Sequence, residues 1–215
     1  MSGLEPAVAE LVSAPDNIEV IRDQIGALLA LDLANQYALA KEAKDPNAAD
    51  YDVRVFVEND SPWQYVDEQT PEANPFPCVN VSIESTGQQK GTASVGKQVM
   101  SAQFYVDVYA TGNTDSVEDM GAKASLKAWK TARIVRHILR AETNTYLRLR
   151  GIVGKVSFKF EAGEPSSPQS AIRVKMVRLT LGVDYVEDVP ITQGVGIELV
   201  SAKIADGSGV VILEF

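Results

Sequence analysis

The sequence predicts an α+β protein in which two long helices pack on a mostly antiparallel sheet of about five strands, followed by a C-terminal strand or hairpin arm. Apolar residues recur at helical spacing in 18–44 and 123–142. Five other segments alternate apolar and polar residues, as strands with one buried face do; they are 51–59, 78–85, 99–112, 152–160 and 171–187. The 215 residues suit one large domain, assigned to 17–189, with a lead over 1–16 and the arm over 190–215.

The first helix has recognisable boundaries. Pro15-Asp16-Asn17 is typical of a helix N-cap. Ile21, Ile25 and Leu28 then recur on one helical face, and the turn residues 45–47 end the pattern. A long helix therefore precedes the first strand.

The two longest strands carry extra information. In 99–112, Phe104 and Val106 share one face, whereas Tyr105, Asp107 and Tyr109 share the other. The first face suits a core and the second is amphipathic enough to meet a partner, so Tyr105 and Tyr109 are interface candidates. In 171–187 the alternation changes phase between residues 176 and 177, which predicts either a bulge or a strand that swaps the surface it covers.

Charge is unevenly distributed along this acidic chain of net charge −9. Residues 1–60 contain twelve acidic and four basic residues, a charge of −8, whereas residues 123–150 contain eight basic residues and one acidic residue, a charge of +7. Such a division suits head-to-tail contact between copies, in which an acidic surface meets a basic one. It also suits a local contact with nucleic acid.

The helix predicted over 123–142 has two distinct sides. The inner stripe contains Ala124, Ala128, Ala132, Val135, Ile138 and Leu139, and the outer side contains Lys123, Lys130, Arg133, His137 and Arg140. Leu126 and Trp129 lie within or beside the basic side, where a solvated surface would not need them. A solvated face, a protein interface and a nucleic-acid contact are the three interpretations. Tryptophan among arginines favours the protein interface, with Trp129, Lys130, Arg133 and Arg140 as its candidates.

Motifs for catalysis and for cofactors fail on inspection. The segment GTASVGKQ begins at Gly91 with phosphate-loop spacing, but Gln98 replaces the hydroxyl that would ligate magnesium, and a strand rather than a helix is predicted to follow. His137 is the single histidine and Cys78 the single cysteine, which excludes two-histidine and cysteine-cluster metal sites. We expect a solvated histidine, a buried thiol, no cofactor, no metal site and no enzymatic activity.

The two ends of the chain lead to further expectations. The N-terminal residues lack the basic start and apolar block of a secretory signal, and no apolar run approaches the roughly 18 residues that span a bilayer, so we expect a soluble protein of a reducing cytoplasm. At the other end, the apolar run VVILEF could extend a neighbour's sheet through Val210, Val211, Ile212 and Phe215. The alternative is a strand that completes the protein's own sheet.

The order of predicted elements resembles the tail terminator proteins of long-tailed bacteriophages. Helix, two strands, a long strand, helix and two further strands follow one another over residues 17–187. The segments that carry this resemblance are YDVRVFVENDSPW, PFPCVNVSIES, SAQFYVDVYATG, the helix of 123–142 and GKVSFKFEAGEPSSPQSAIRVKMVRLTLGVDYVE. The chain departs from the compact members in its acidic lead and in its apolar tail after Pro190.

The resemblance implies a structural virion protein that is not an enzyme. Such proteins form a hexameric ring at the head-proximal end of the tail, end the growth of the tail tube and join the tail to the neck, after assembly in the host cytoplasm. The implied partners are further copies of the chain, tail tube protein and a neck or stopper protein, with sheath protein as a further candidate. DNA only passes through the lumen, and no membrane is involved. Another head-tail connector or neck protein, or a nucleic-acid-binding module that uses 123–142, stays open as an alternative.

Overall fold

The computed structural model describes residues 13–63, 77–88, 97–112, 117–163, 174–188, 203–206 and 209–212. Two α-helices, α1 and α2, span Asn17–Glu42 and Val117–Leu139. Five strands accompany them: β1 Arg54–Val57, β2 Cys78–Gln88, β3 Lys97–Thr111, β4 Val153–Gly163 and β5 Val174–Asp188. Short 3-10 helices lie at Ala48–Tyr51 and Glu142–Asn144. The first helix and the five strands follow the predicted order, whereas β1 is shorter than predicted and α2 begins before residue 123.

The five strands form one mixed sheet in the order β1-β2-β3-β5-β4. β1 runs parallel to β2, whereas β2–β3, β3–β5 and β4–β5 are antiparallel. The predicted α+β class is thus confirmed as a mixed five-stranded sheet with two helices. The parallel β1–β2 pair is the departure from the antiparallel pattern.

Both helices pack against the sheet, α1 over β1 and β2 and α2 over β3 and β5. Phe104, Val106, Leu179 and Leu181 from the two central strands are fully buried in the resulting core. Gly26 brings α1 close to the sheet, because a Cβ atom at this position would lie only 2.7 Å from Cγ2 of Val57. Burial of apolar area at this interface is the main force that holds the two layers together.

The predicted start of α1 is confirmed and is tied to the sheet. Asp16 is the N-cap residue, and its backbone N–H donates a hydrogen bond of 3.0 Å to Oε2 of Glu19. The side-chain amide of Asn17 donates to the carbonyl of Val186 over 2.7 Å, at the far end of β5. These contacts fix where the helix begins relative to the last strand of the sheet.

The change of phase in β5 has a physical explanation, and it is not a bulge. Met176 and Val177 pair in unbroken register with Tyr109 and Val108 of β3. Val177 faces the helices, whereas Val174 and Met176 belong to a second buried cluster that also contains Cys78 and Tyr109. Phe56 and Trp63 pack against it. β5 therefore buries one face at its start and the opposite face from Val177 onward, which is the second of the two predicted explanations.

The C-terminal region contains a hairpin of its own. β6 (Lys203–Asp206) pairs antiparallel with β7 (Gly209–Ile212) as a separate two-stranded sheet. Among the strands that the structure describes, neither pairs with the main sheet. The boundary of the domain at residue 189 stays a prediction, and residues 1–12 of the predicted lead lie outside the described residues.

Candidate interaction surface

The inner stripe of α2 is confirmed residue by residue. Its members Ala124, Ala128, Ala132, Val135, Ile138 and Leu139 are all buried. The three alanines lack bulk beyond Cβ, which lets the helix backbone lie close to β3 and β5. This orientation leaves the opposite side of α2 toward solvent.

The outer side of α2 combines exposed apolar and basic side chains, as predicted. Leu126 and Trp129 are 72% and 45% exposed. Arg133 and Arg140 are exposed, as is His137, in agreement with the predicted solvated histidine. We call the side chains of Leu126, Trp129 and Arg133 the outer patch.

Lys130 is held by an ion pair within the molecule. Its ammonium lies 3.2 Å from Oδ2 of Asp50 and 4.3 Å from the ring centroid of Tyr51. Lys127 approaches the other oxygen of Asp50 at 3.4 Å. Part of the acidic front therefore meets the basic middle within one molecule, and Lys130 as an interface candidate stays a prediction.

Burial changes the pKa of Lys127 in this cluster of charges. The side chain of Lys127 is only 10% exposed. Burial lowers the pKa of Lys127 below its ordinary value of 10.5, although the nearby Asp50 carboxylate acts in the opposite direction. The net lowering shows that loss of solvent outweighs the ion pair at this lysine.

The C-terminal half of α2 borders a groove along the edge of the sheet. Arg136, Arg140, Val156, Phe158 and Phe160 line it, around a volume of about 450 Å³. The guanidinium carbon of Arg136 lies 5.2 Å from the ring centroid of Phe160. The three apolar side chains are only partly buried, because α2 lies over β3 and β5 rather than over β4. We call this feature the β4 groove.

Sequence reasoning missed the β4 groove, although its signals were present. Arg136 and Phe160 are 24 positions apart, in two different predicted elements. The alternation in 152–160 correctly placed Val156, Phe158 and Phe160 on one face. What it could not supply was the strand order that puts β4 at the sheet edge, beyond the cover of the helices.

Two exposed arginines extend the basic surface beyond α2. Arg148 and Arg150 follow the short helix at Glu142–Asn144 and, with Tyr146, line a second shallow groove. The guanidinium carbon of Arg150 lies 5.9 Å from the ring centroid of Tyr146. The positive charge predicted for 123–150 is therefore largely carried by exposed arginines.

The predicted partner face of β3 is divided between solvent and core. Tyr105 is half-buried, and the guanidinium carbon of Arg178 lies 3.7 Å from its ring centroid. The pKa of Tyr105 is raised, mainly by a hydrogen bond with Glu84. Tyr105 thus remains an interface candidate on the sheet face opposite the helices.

Tyr109 and Asp107 correct the prediction for that face. Tyr109 is 4% exposed, within the second buried cluster, and burial is the main reason that its pKa is raised. Asp107 is also 4% exposed. The prediction that Tyr109 faces a partner is wrong, because Phe56 and Trp63 cover this end of the sheet.

Asp107 is neutralised by a partner on the neighbouring strand. Nε and an Nη atom of Arg178 donate to its two carboxylate oxygens, each over 2.7 Å. This bidentate geometry is the strongest form of an arginine–carboxylate contact, and the hydrogen bond to Asp107 is the main cause of the raised pKa of Arg178. The sequence alone did not single out Arg178.

Cys78 lies in the same second cluster and is buried, as predicted. Its thiol donates to the carbonyl of Pro62 over 3.4 Å. Burial raises the pKa of the thiol to about 12. At neutral pH the group is a protonated thiol, which is a poor nucleophile.

The remaining candidates fall in the C-terminal region. Val210, Val211 and Ile212 lie in β7, and Phe215 lies outside the described residues. The Gly-rich segment 91–96 also lies outside them, while Lys97 and Gln98 begin β3, so a strand does follow it. Within the described ranges, no three His, Cys, Asp or Glu side chains are grouped so that they could hold a metal ion.

The remaining observations concern membrane spans and similarity to known proteins. No helix in the described part of the chain has both the length and the apolar character needed to cross a membrane. No protein-family model matches the sequence, and no curated protein is similar to it.

Proposed function

We propose that this chain is a structural virion protein that assembles into a ring, with six copies, at the head-proximal end of a phage tail. In that position it ends polymerisation of the tail tube and joins the tail to the neck. Its partners are further copies of itself, tail tube protein and a neck or stopper protein, with sheath protein as a further candidate. DNA passes through the lumen, and the protein has no catalytic role.

The observation that carries this proposal is the outer patch of α2. Leu126 and Trp129 are 72% and 45% exposed beside Arg133, on a chain whose first 60 residues carry a charge of −8. Exposed aromatic and arginine side chains are enriched at protein interfaces. A basic, apolar patch and an acidic front on the same chain favour head-to-tail contact, which closes into a ring when the rotation between copies permits.

The architecture agrees with the resemblance in the order of its elements. A helix, two strands, a long strand, a second helix and two further strands follow one another in the chain. Fold order alone does not determine function, because one fold supports many functions. The assembly state is therefore the decisive measurement.

Native mass spectrometry of the purified chain, alone and with tail tube protein, tests the proposal. We expect a species of six copies, and a ring in negative-stain images. Added during tube polymerisation, the chain should shorten the tubes and be found at one end of each. A strict monomer that binds neither tube nor neck proteins would contradict the proposal.

A neck or connector protein of another kind is distinguished by the same samples. It would bind neck protein without affecting tube length.

The nucleic-acid alternative is favoured by the exposed arginines 133, 136, 140, 148 and 150. If it is correct, wild-type chain should retain DNA on a filter at low salt, and Arg133→Glu with Arg140→Glu should abolish retention. Absence of retention by the wild type excludes it.

A further inference from the structure

β4 lies at one edge of the main sheet. In the main sheet it pairs only with β5, so apart from an isolated bridge between Val153 and Arg150 its other side pairs with no described strand. An exposed edge offers backbone N–H and C=O groups to any extended segment that can lie beside it. Natural sheets protect such edges with lysine, and β4 carries exposed Lys155 and Lys159.

Cations border this edge on both faces of the sheet. On the helix side, Arg136 and Arg140 flank the apolar side chains of the β4 groove. On the opposite side, Lys155 and Lys159 are exposed, and Lys159 forms an exposed ion pair with Glu161 over 2.5 Å. A segment that lies beside β4 should therefore be apolar on the helix side and carry acidic charge on the other side.

One segment of this chain has that pattern. In an extended conformation, alternate residues share a face. In the run VVILEF, residues Val211, Leu213 and Phe215 would then form a wholly apolar face, whereas Glu214 would lie on the opposite one with Val210 and Ile212. The tail as a whole is acidic as well, since residues 189–215 contain three acidic residues and one basic residue.

The chain also has the length to bring this segment to a neighbour. Residues 189–202 separate the end of β5 from the terminal hairpin. These 14 residues extend up to about 46 Å, at roughly 3.3 Å per residue. That reach is comparable with the diameter of a compact domain of this size, whose radius of gyration is roughly 15 Å.

We propose that residues 210–215 of one copy add a strand to the β4 edge of a second copy. Val211, Leu213 and Phe215 enter the β4 groove, and Glu214 lies on the side of Lys155 and Lys159. Arg136 already lies over the ring of Phe160, and Phe215 gives this guanidinium, or that of Arg140, a second aromatic surface. The choice of a second copy rests on the proposed function, since a ring requires a directional contact that each copy both gives and receives.

Three full-length variants test this contact. The tail variant carries Val211→Asp and Leu213→Asp. The edge variant carries Lys155→Glu and Lys159→Glu, both at exposed positions. A matched control carries Lys41→Glu and Lys44→Glu, which are exposed near the end of α1 and make the same change in charge away from β4.

Peptide binding measures the site directly. A fluorescent peptide of residues 207–215 should bind the tail variant, whose β4 groove is intact, and the anisotropy should rise to saturation. Adding the edge changes to that variant should weaken binding by roughly tenfold, whereas the control changes should not. A peptide with Glu214→Lys should recover binding to the protein with the edge changes. Absence of saturable peptide binding overturns the proposal. It is also overturned if the tail variant binds a fluorescent oligothymidylate but not the peptide, because the site would then be one for nucleic acid.

Mixing the tail and edge variants decides between one copy and two. Each variant alone has a defect in one half of the contact, but together the tail variant supplies the groove and the edge variant supplies the segment. A one-to-one complex in native mass spectrometry is expected. If the peptide binds but the mixture forms no complex, the segment docks on its own β4 and the second-copy proposal is wrong.

Failure of this contact and failure of the ring are separable. A saturable peptide site and a mixed complex, with wild-type assemblies other than six copies, would keep the β4 contact and reject the hexameric ring. Assemblies of six copies without peptide binding would keep the ring and reject the β4 contact.

Discussion

Two pairs of cations, along α2 and just beyond its end, have different surroundings. Lys127 and Lys130 both approach the carboxylate of Asp50, at 3.4 and 3.2 Å. Arg133 and Arg140 are exposed and form no ion pair with a described carboxylate. The positive charge of the lysine pair joins α2 to the segment before β1, whereas that of the arginine pair faces solvent.

This difference separates charge that stabilises the monomer from charge that is available to a partner. The Asp107–Arg178 pair on the other face of the sheet belongs with the first kind. Substitutions in internal pairs should lower the free energy of unfolding, whereas substitutions of Arg133 and Arg140 should leave it unchanged and affect assembly.

Asp107→Ala should have the largest effect on stability. It leaves the guanidinium of Arg178 beside a cavity and removes an acceptor near the hydroxyl of Tyr109. Breaking a largely buried ion pair in this way should lower the free energy of unfolding by about 2–4 kcal/mol. This loss is smaller than that expected for a fully buried pair, because Arg178 is 30% exposed. Urea unfolding at 25 °C measures it.

A double-substitution cycle provides the control for that measurement. Arg178→Ala together with Asp107→Ala should lose less than the sum of the two single changes, because neither charge is then left alone. Additive losses would mean that the two side chains do not stabilise each other.

Asp50→Ala should have an intermediate effect, about 1–2 kcal/mol at pH 7. It leaves the poorly exposed Lys127 without its carboxylate, so the pKa of Lys127 should fall further below 10.5. A lowered pKa in the folded state means that the unfolded chain binds this proton more tightly. Stability from this group therefore rises as pH increases from the folded pKa toward 10.5.

The pH dependence distinguishes this explanation from a simple loss of packing. The difference between wild type and Asp50→Ala in urea unfolding should be smaller at pH 10 than at pH 7, since the lysine of the variant releases its proton more readily. Asp52→Ala removes the same charge two residues away and should cost less. Equal losses at both pH values, or from both variants, would refute the role of Lys127.

Arg133→Glu with Arg140→Glu should have the smallest effect on stability, within about 0.5 kcal/mol, because exposed charges contribute little to folding. The circular dichroism spectrum and the melting temperature should match the wild type. Assemblies seen by native mass spectrometry should nevertheless be lost. A drop in stability above about 1 kcal/mol would place these arginines among the internal charges instead.

The sequence predicted those features that depend on neighbours along the chain. The stripe of Ala128 and Ala132 was predicted correctly, because the helical period fixes which residues share a face. The same holds for Phe104 and Val106 in β3. In each case the deciding residues lie within about a dozen positions of one another.

Features that depend on distant segments were missed. Alternation in β3 correctly placed Asp107 and Tyr109 on one face, but not the cover that Phe56 and Trp63 provide. Lys130 is 80 positions from Asp50, so no local pattern indicates their contact. The parallel direction of β1 was equally hidden, since it depends on where the chain returns after Trp63.

The pairing of β3 with β5 has a consequence for how the chain folds. Lys97 pairs with Asp188 and Thr111 with Val174, so partners are separated by 91 and 63 positions. By contrast, β2–β3 and β4–β5 are hairpins between strands that follow one another. Because long-range pairing must overcome a large loss of chain entropy, the hairpins should form first and the central ladder later and more slowly.

Until that ladder closes, the inner edges of β3 and β5 are unpaired. A chain in this intermediate exposes two long apolar strands to its neighbours, which makes it prone to aggregation during synthesis. Folding at low protein concentration and reduced temperature should therefore increase the yield of soluble chain.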